Sequence, residues 1–339
     1  MPPAAERIDT APTLAPAPDD AATDRVDSFA GRALGSALRL FVRSPAASSA
    51  AAGSAAEAWD AVCTEFEAVD LALSRFRDDS ELTALNRVAG TGGVAQVSWR
   101  LRETIAAMDR ARRITGGRFD ATMALDLERL GEIGARLRPG TLLDGASAAA
   151  DRPRPVIAPA VPLDSGGLGK GLALRWAARR ALATLPSTAG LLLDAGGDVL
   201  VAGVPPVAGW RVGIEDPVAG PEPDTQPIAV VEVHDGALAT SSIRVRHWTS
   251  PDGRAVHHLL DPRTREPART GLLAVTVAGP DAAWAEVWTK ALFLAGRASI
   301  ADEARARGLA AWWVAEDGCL GMTPAARERS AWVAESRLG

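Results

Sequence analysis

Apolar residues at Trp59, Val62, Phe66, Val69 and Leu73 recur with spacings of 3, 4, 3 and 4, the period of one helix face. The pattern predicts an amphipathic helix with Ser54 as its cap. A second stripe, Leu101, Ile105 and Met108, runs from a cap at Ser98 toward Ile114, and Gly116-Gly117 ends it. Elsewhere the pattern changes to short apolar runs bounded by turn residues. ALRLFV (37–42) reads as the first strand, and the Ala/Ser/Gly stretch from Pro45 to Ala55 as a loop. GLLLDAGGDVLVAG (190–203) reads as two strands about an Ala-Gly-Gly-Asp turn.

Further strands are expected at WRVGIEDP and across IAVVEVHDGALATS, with a hairpin turn at Asp235-Gly236. Leu273 to Ala278 is a strand, Pro280-Asp281 caps a helix ending at Gly296, and another helix spans about 299–308. LAAWWVAEDG and the segment 319–323 form a final hairpin, and a glycine-introduced helix covers 167–185. Residues 135–162 have weak periodicity and read as a loop or a degraded strand pair. The Ala/Pro/Asp-rich residues 1–27 read as a disordered leader, 28–325 as the folded domain and 326–339 as a tail. Mixed helices and hairpins favour an α+β class with layered antiparallel sheets over a regular βαβ array.

Composition narrows the function. The 339-residue chain, 47% hydrophobic and 23% charged, is an ordinary globular mixture able to bury a large core. Its net charge of −5, without a Lys/Arg cluster interleaved with aromatics, argues against nucleic acid as a partner. Cys63 and Cys319 have neither disulfide-framework nor zinc spacing. The N-terminal MPPAAERIDTAPTLAPAPDD has acids and prolines where a signal peptide needs a basic start and an apolar run. With no uninterrupted apolar span of about 18 residues, membrane insertion is not expected, and the expected location is the cytoplasm.

Four segments carry candidate chemistry. FRDDSELTALNR (76–87) reads locally as a capped helix. In GGRFDATMA (116–124) the aspartate caps the next segment or binds ligand hydroxyls or amides. LDSGGLGKGLA (163–173) brings glycines, a helix start and Lys170 together, a composition suited to anions. It is not a Walker A loop, since Gly171 stands where a hydroxyl must follow the lysine, and the G-x-G-x-x-G pattern fails too. HHLLDPRTREP (257–267) holds two of the four histidines, and in a strand at most one of a tandem pair faces a site.

The order of these segments is more specific than any one of them. S-x-F-x-x-x-S-E-L-x-x-L-N, G-G-x-F-D, L-D-x-G-G-x-x-K-G, D-A-G-G-D, A-T-S, H-x-x-D-P-R-T and a capped acidic helix follow one another. This succession, from about residue 29 to residue 322, closely resembles the ApbE family of FAD:protein FMN transferases. The resemblance implies an ApbE-like, T-fold-like architecture. It implies FAD as substrate, transfer of FMN to a threonine hydroxyl of a partner flavoprotein, release of AMP, and usually Mg²⁺. Attack on a pyrophosphate phosphorus demands charge neutralisation and in-line positioning. By position, Leu34, Phe76, Arg118, Phe119, Asp120, Asp164 and Lys170 fall on the FAD side, and Gly167 matches a residue lending a carbonyl to the metal. His258 matches the histidine before D-P-R-T, where an imidazole titrating near neutrality suits phosphate orientation or proton transfer.

Several positions depart from the family pattern. Leu34-Gly35-Ser36 stands for M-G-T, and Arg265 replaces a turn glycine after Asp261-Pro262-Arg263-Thr264. If that turn requires φ > 0, the replacement costs about 1 kcal/mol or more. The family's metal-binding A-D-x-x-x-T becomes Ala285-Glu286-Val287-Trp288-Thr289-Lys290. Glutamate can ligate Mg²⁺, whereas an ammonium has donors only. Lys290, held by Glu286, is therefore expected to reach the pyrophosphate and partly replace the ion. A non-catalytic FAD-binding protein and an FAD pyrophosphatase releasing FMN and AMP stay open as alternatives, and the 164–171 loop argues against a purely structural domain.

Overall fold

A computed structural model of the chain describes residues 14–16, 24–45, 52–132, 153–219 and 225–339. They fall into two compact units, Met1–Glu65, Lys170–Arg244 and Arg269–Gly339 in the first, Phe66–Gly169 and Val245–Ala268 in the second.

The first unit is framed by an antiparallel sheet of eight strands. Their order is Leu320–Met322, Ala310–Ala315, Leu272–Gly279, Gly236–Ser242, Asp198–Gly203, Gly190–Ala195, Ser36–Pro45 and Asp24–Ala33. In Ser36–Pro45 the residues Leu38, Leu40 and Val42 are buried at every second position, the pleat period of a strand with one core face. Leu34 and Gly35, both at positive φ (49° and 75°), make the two-residue turn before it. Gly196 and Gly197, at 65° and 92°, turn Gly190–Ala195 into Asp198–Gly203. A second sheet orders Leu14–Pro16, Trp210–Ile214, Ala229–Val233 and Ser330–Val333. Trp210, Val231, Leu238, Trp312 and Val314 from both sheets share one buried cluster, each such side chain contributing roughly 1.5 to 3 kcal/mol. Ser241 has the opposite parity to Leu238 and hydrogen-bonds Thr289 at 2.7 Å, so helix Ala282–Ala295 covers the other face of the sheet.

In the second unit, helices Glu81–Arg87, Trp99–Ile114 and Ala124–Arg129 join short two-stranded ribbons. Ser80 accepts a hydrogen bond from the Thr83 N–H and Ser98 one from the Leu101 N–H, so both predicted caps form. Met123, Leu127, Leu130, Val256 and Leu260 build a small core. Helix Ala52–Leu73 belongs to the first unit up to Glu65 and to the second from Phe66.

Some expectations need correction. Ser54 lies inside its helix, which starts at Ala52. Asp235-Gly236 is not a hairpin turn: Ala229–Val233 and Gly236–Ser242 pair in different sheets. Gly236 has φ +97°, and a Cβ there would sit 2.6 Å from the Gly279 carbonyl oxygen, so a close strand approach requires this glycine. The strand Ser36–Pro45 has Asp24–Ala33 as its partner, which begins inside the segment read as a leader. The segment read as a tail supplies Ser330–Val333 to the second sheet. Arg154–Ile157 pairs with Val94–Val97, whereas most of the leader and residues 133–152 lie outside the described residues. No helix among the described residues is long and apolar enough to cross a membrane.

Candidate functional site

Two groups of predicted residues assemble, one within each unit. In the second unit Phe76 is 53% exposed, and its ring rests on the Arg75 guanidinium 4.4 Å from the centroid. Arg75 is buried and donates to Asp164 at 3.0 Å while pairing with Glu132, which also pairs with Arg246. Burial lowers the Arg75 pKa, and the Asp164 charge opposes that shift. Asp164 is fixed further by the Gly166 N–H at 3.0 Å and by its own N–H to the Ala121 carbonyl at 2.7 Å. The preceding residue is clamped as well, for the buried Asn86 amide both donates to and accepts from the Leu163 backbone at 2.8 Å. Arg75 and the Gly166 N–H together orient the carboxylate.

Phe119 packs against Gly167, where a Cβ would meet the ring at 2.6 Å. Asp120 accepts from the Thr122 N–H at 2.9 Å, the capping role its sequence context favours, and pairs with Arg112 at 3.3 Å. Arg118 precedes both, in the turn that ends helix Trp99–Ile114. His258 Nδ1 lies 3.2 Å from the Arg246 carbonyl. A carbonyl only accepts, so a hydrogen bond at this contact is donated by Nδ1. His257 approaches the Ala268 carbonyl at 3.2 Å, and burial lowers its pKa.

In the first unit the start of helix Gly169–Leu182 organises the second group. Lys170 pairs with the buried Asp198, whose other oxygen accepts the Thr240 N–H at 3.0 Å. Gly171 donates its N–H to Glu286 Oε2 at 2.9 Å, and Lys290 Nζ lies 3.3 Å from Oε1 of the same carboxylate. Glu286 is 2% exposed, so the pair is no surface bridge. Leu34 stands apart at its hairpin tip, half-buried.

A sequence model of the ApbE family matches residues 35–313. The chain belongs to the ApbE family. It is 26% identical over 275 residues to the FAD:protein FMN transferase of Klebsiella pneumoniae (strain 342), spanning 76% of each chain. Identity to the FAD:protein FMN transferase of Treponema pallidum (strain Nichols) is 28% over 288 residues, 76% of this chain and 75% of that one. The ApbE protein of Thermotoga maritima has the same fold, with TM-score 0.75 and 24% identity over 91% of this chain and all (100%) of the other. The apo form of the Pseudomonas stutzeri flavinyl transferase ApbE gives 0.70 and 26%, covering 91% of this chain and 97% of its own.

For an ApbE-family chain, the acidic helix raises the question of Mg²⁺. Magnesium needs oxygen ligands free to turn toward it. Here one Glu286 oxygen accepts from Gly171 and the other faces an ammonium, while the Ser241 and Thr289 hydroxyls bond each other. With an ammonium on one carboxylate oxygen and an N–H on the other, this donor set is a poor fit for a divalent cation. Among the described residues, no cluster of three or more His, Cys, Asp or Glu is arranged to hold a metal.

Sequence reasoning missed Arg75, Asn86, Glu132, Asp198 and Gly171 as supports of the site. Asn86 alone had a local signal, a polar residue on the buried side of a helix that also carries Leu82 and Leu85. The others acquire their roles from partners distant in sequence.

Proposed function

We propose that this chain is an FAD:protein FMN transferase that moves FMN from FAD to a threonine hydroxyl of a partner flavoprotein. The observation that carries the reading is the match to the ApbE family over residues 35–313, with curated transferases aligned over 76% of the chain. In the reaction, the threonine oxygen bonds to the FMN-side phosphorus and the P–O bond to AMP breaks. The hydroxyl proton leaves to a base, and AMP departs with the bonding electrons.

Each residue group has a part in that chemistry. The half-exposed Phe76, backed by Arg75, offers an aromatic face to the flavin. Leu34, Arg118, Phe119 and Asp120 supply further FAD contacts, and the clamped Asp164 supplies a fixed acceptor for ligand N–H or O–H groups. His258 is the base of this reading, working through Nε2 while Nδ1 faces the Arg246 carbonyl. Lys170 brings positive charge to a helix start whose N–H groups favour phosphate. Gly167, beside Phe119, is the remaining family position, and its carbonyl is the group the resemblance assigns to the metal.

The test mixes purified chain, FAD and candidate acceptor proteins and measures AMP. Release that depends on the acceptor supports transfer. AMP and FMN released without any acceptor replaces transfer by pyrophosphatase action, and FAD retained without AMP points to a binding protein.

A further inference from the structure

The Glu286 and Lys290 pair bears on how this chain neutralises phosphate charge. Glu286 is buried at 2% exposure, and each of its carboxylate oxygens already has a partner. Oε2 accepts the Gly171 N–H at 2.9 Å, which ties helix Ala282–Ala295 to the start of helix Gly169–Leu182. Oε1 faces Lys290 Nζ at 3.3 Å, one turn further along the same helix. The Lys290 ammonium also lies 3.3 Å from the Glu286 carbonyl, so both contacts direct it to one place. The Lys290 side chain stays 15% exposed, so it is not sealed from solvent. Neighbouring hydroxyls are committed as well, since Thr289 donates to the Glu286 carbonyl at 2.7 Å and bonds Ser241 at 2.7 Å.

We propose that the Lys290 ammonium is the fixed cation of the transfer site, tethered by Glu286, and that FMN transfer by this chain needs no divalent metal. The proposal rests on the transferase reading. A positioned ammonium supplies charge-assisted hydrogen bonds to phosphate oxygens. It also repels a divalent ion from the one carboxylate at this position, so the two cations exclude each other. The role of Glu286 becomes mechanical: it holds the helix start and keeps Lys290 aimed.

Two measurements decide it. The first is Mn²⁺ binding to the FAD-loaded protein, followed by electron paramagnetic resonance. The native chain is expected to show no saturable site, and the double variant Glu286→Asp/Lys290→Thr is expected to gain one. Saturable binding to the native chain would overturn the proposal. The second is FMN transfer with EDTA or with Mg²⁺. The native chain keeps its rate in EDTA, Lys290→Thr loses roughly tenfold or more in EDTA and recovers with Mg²⁺, and Lys290→Met, with neither charge nor oxygen, loses it in both. A native rate abolished by EDTA and restored by Mg²⁺ overturns the proposal and leaves the transferase reading intact. Absence of transfer under every condition removes the transferase reading and with it the catalytic role of Lys290.

Discussion

Arg265 shows how a single residue reveals local strain. The sequence places a bulky cation where its family has a turn glycine, and the structure holds that residue at φ +57°. Its guanidinium recovers part of the strain by pairing with Asp126 at 2.7 Å, a half-exposed contact that is strongly screened. Arg265→Gly is therefore expected to stabilise the fold by about 0.5 to 1 kcal/mol, read as a higher urea midpoint. A lower midpoint would show that the ion pair outweighs the strain. Asp194 gives a second residue-scale prediction. Burial raises its pKa from the ordinary 3.8, against the Gly197 N–H and the Arg39 charge. A raised carboxyl pKa means the folded chain binds the proton more tightly than the unfolded one. Its contribution thus falls as pH rises from about 3.8 through the folded value. Asp194→Asn, which retains an acceptor for Gly197, should melt higher than the native chain at pH 7 and lose that advantage near pH 4. Equal melting differences at both values would contradict this assignment. The strain at residue 265 was visible in the sequence because a turn is a local feature. The clamps on Asp164 were not, since Arg75 and Asn86 meet it or its neighbour only through the fold.

At the scale of elements, end signals carried most of the legible information. Ser80, Ser98 and Asp281 each accept the N–H that their sequence position promised, because a cap involves residues three apart. Strand partnership does not follow from such signals. Asp235-Gly236 has a hairpin's composition, yet the chain passes there from one sheet to the other. Gly171 belongs to the same long-range class. Its composition suggested an anion loop, but the missing side chain also admits a second helix. A Cβ there would lie 2.5 Å from Ala283 Cα and 2.6 Å from the Ala282 carbonyl carbon. Backbone cannot yield as a flexible side chain does, so Gly171→Ala is expected to cost about 1 to 3 kcal/mol through overpacking. Denaturant unfolding of the variant checks this, and an unchanged midpoint would show that the two helices separate easily. The same shift would loosen the Gly171 bond to Glu286, which connects the packing of two helices to the placement of Lys290.

For the whole molecule, the succession of seven weak motifs carried the α+β class and the family, and no single motif was specific enough. The family match over residues 35–313 and the likeness to ApbE structures agree with that reading. The division into two compact units was not legible, because each unit is assembled from separated stretches of chain. Local periodicity does not report which stretches will join. The most direct test of the account is the mass of an acceptor flavoprotein after incubation with FAD and this chain. Peptide mass spectrometry is expected to find one FMN on a threonine, absent from the acceptor's Thr→Ala variant, with one AMP released per modified acceptor. An acceptor of unchanged mass, alongside AMP and free FMN accumulating equally with and without it, would contradict the account.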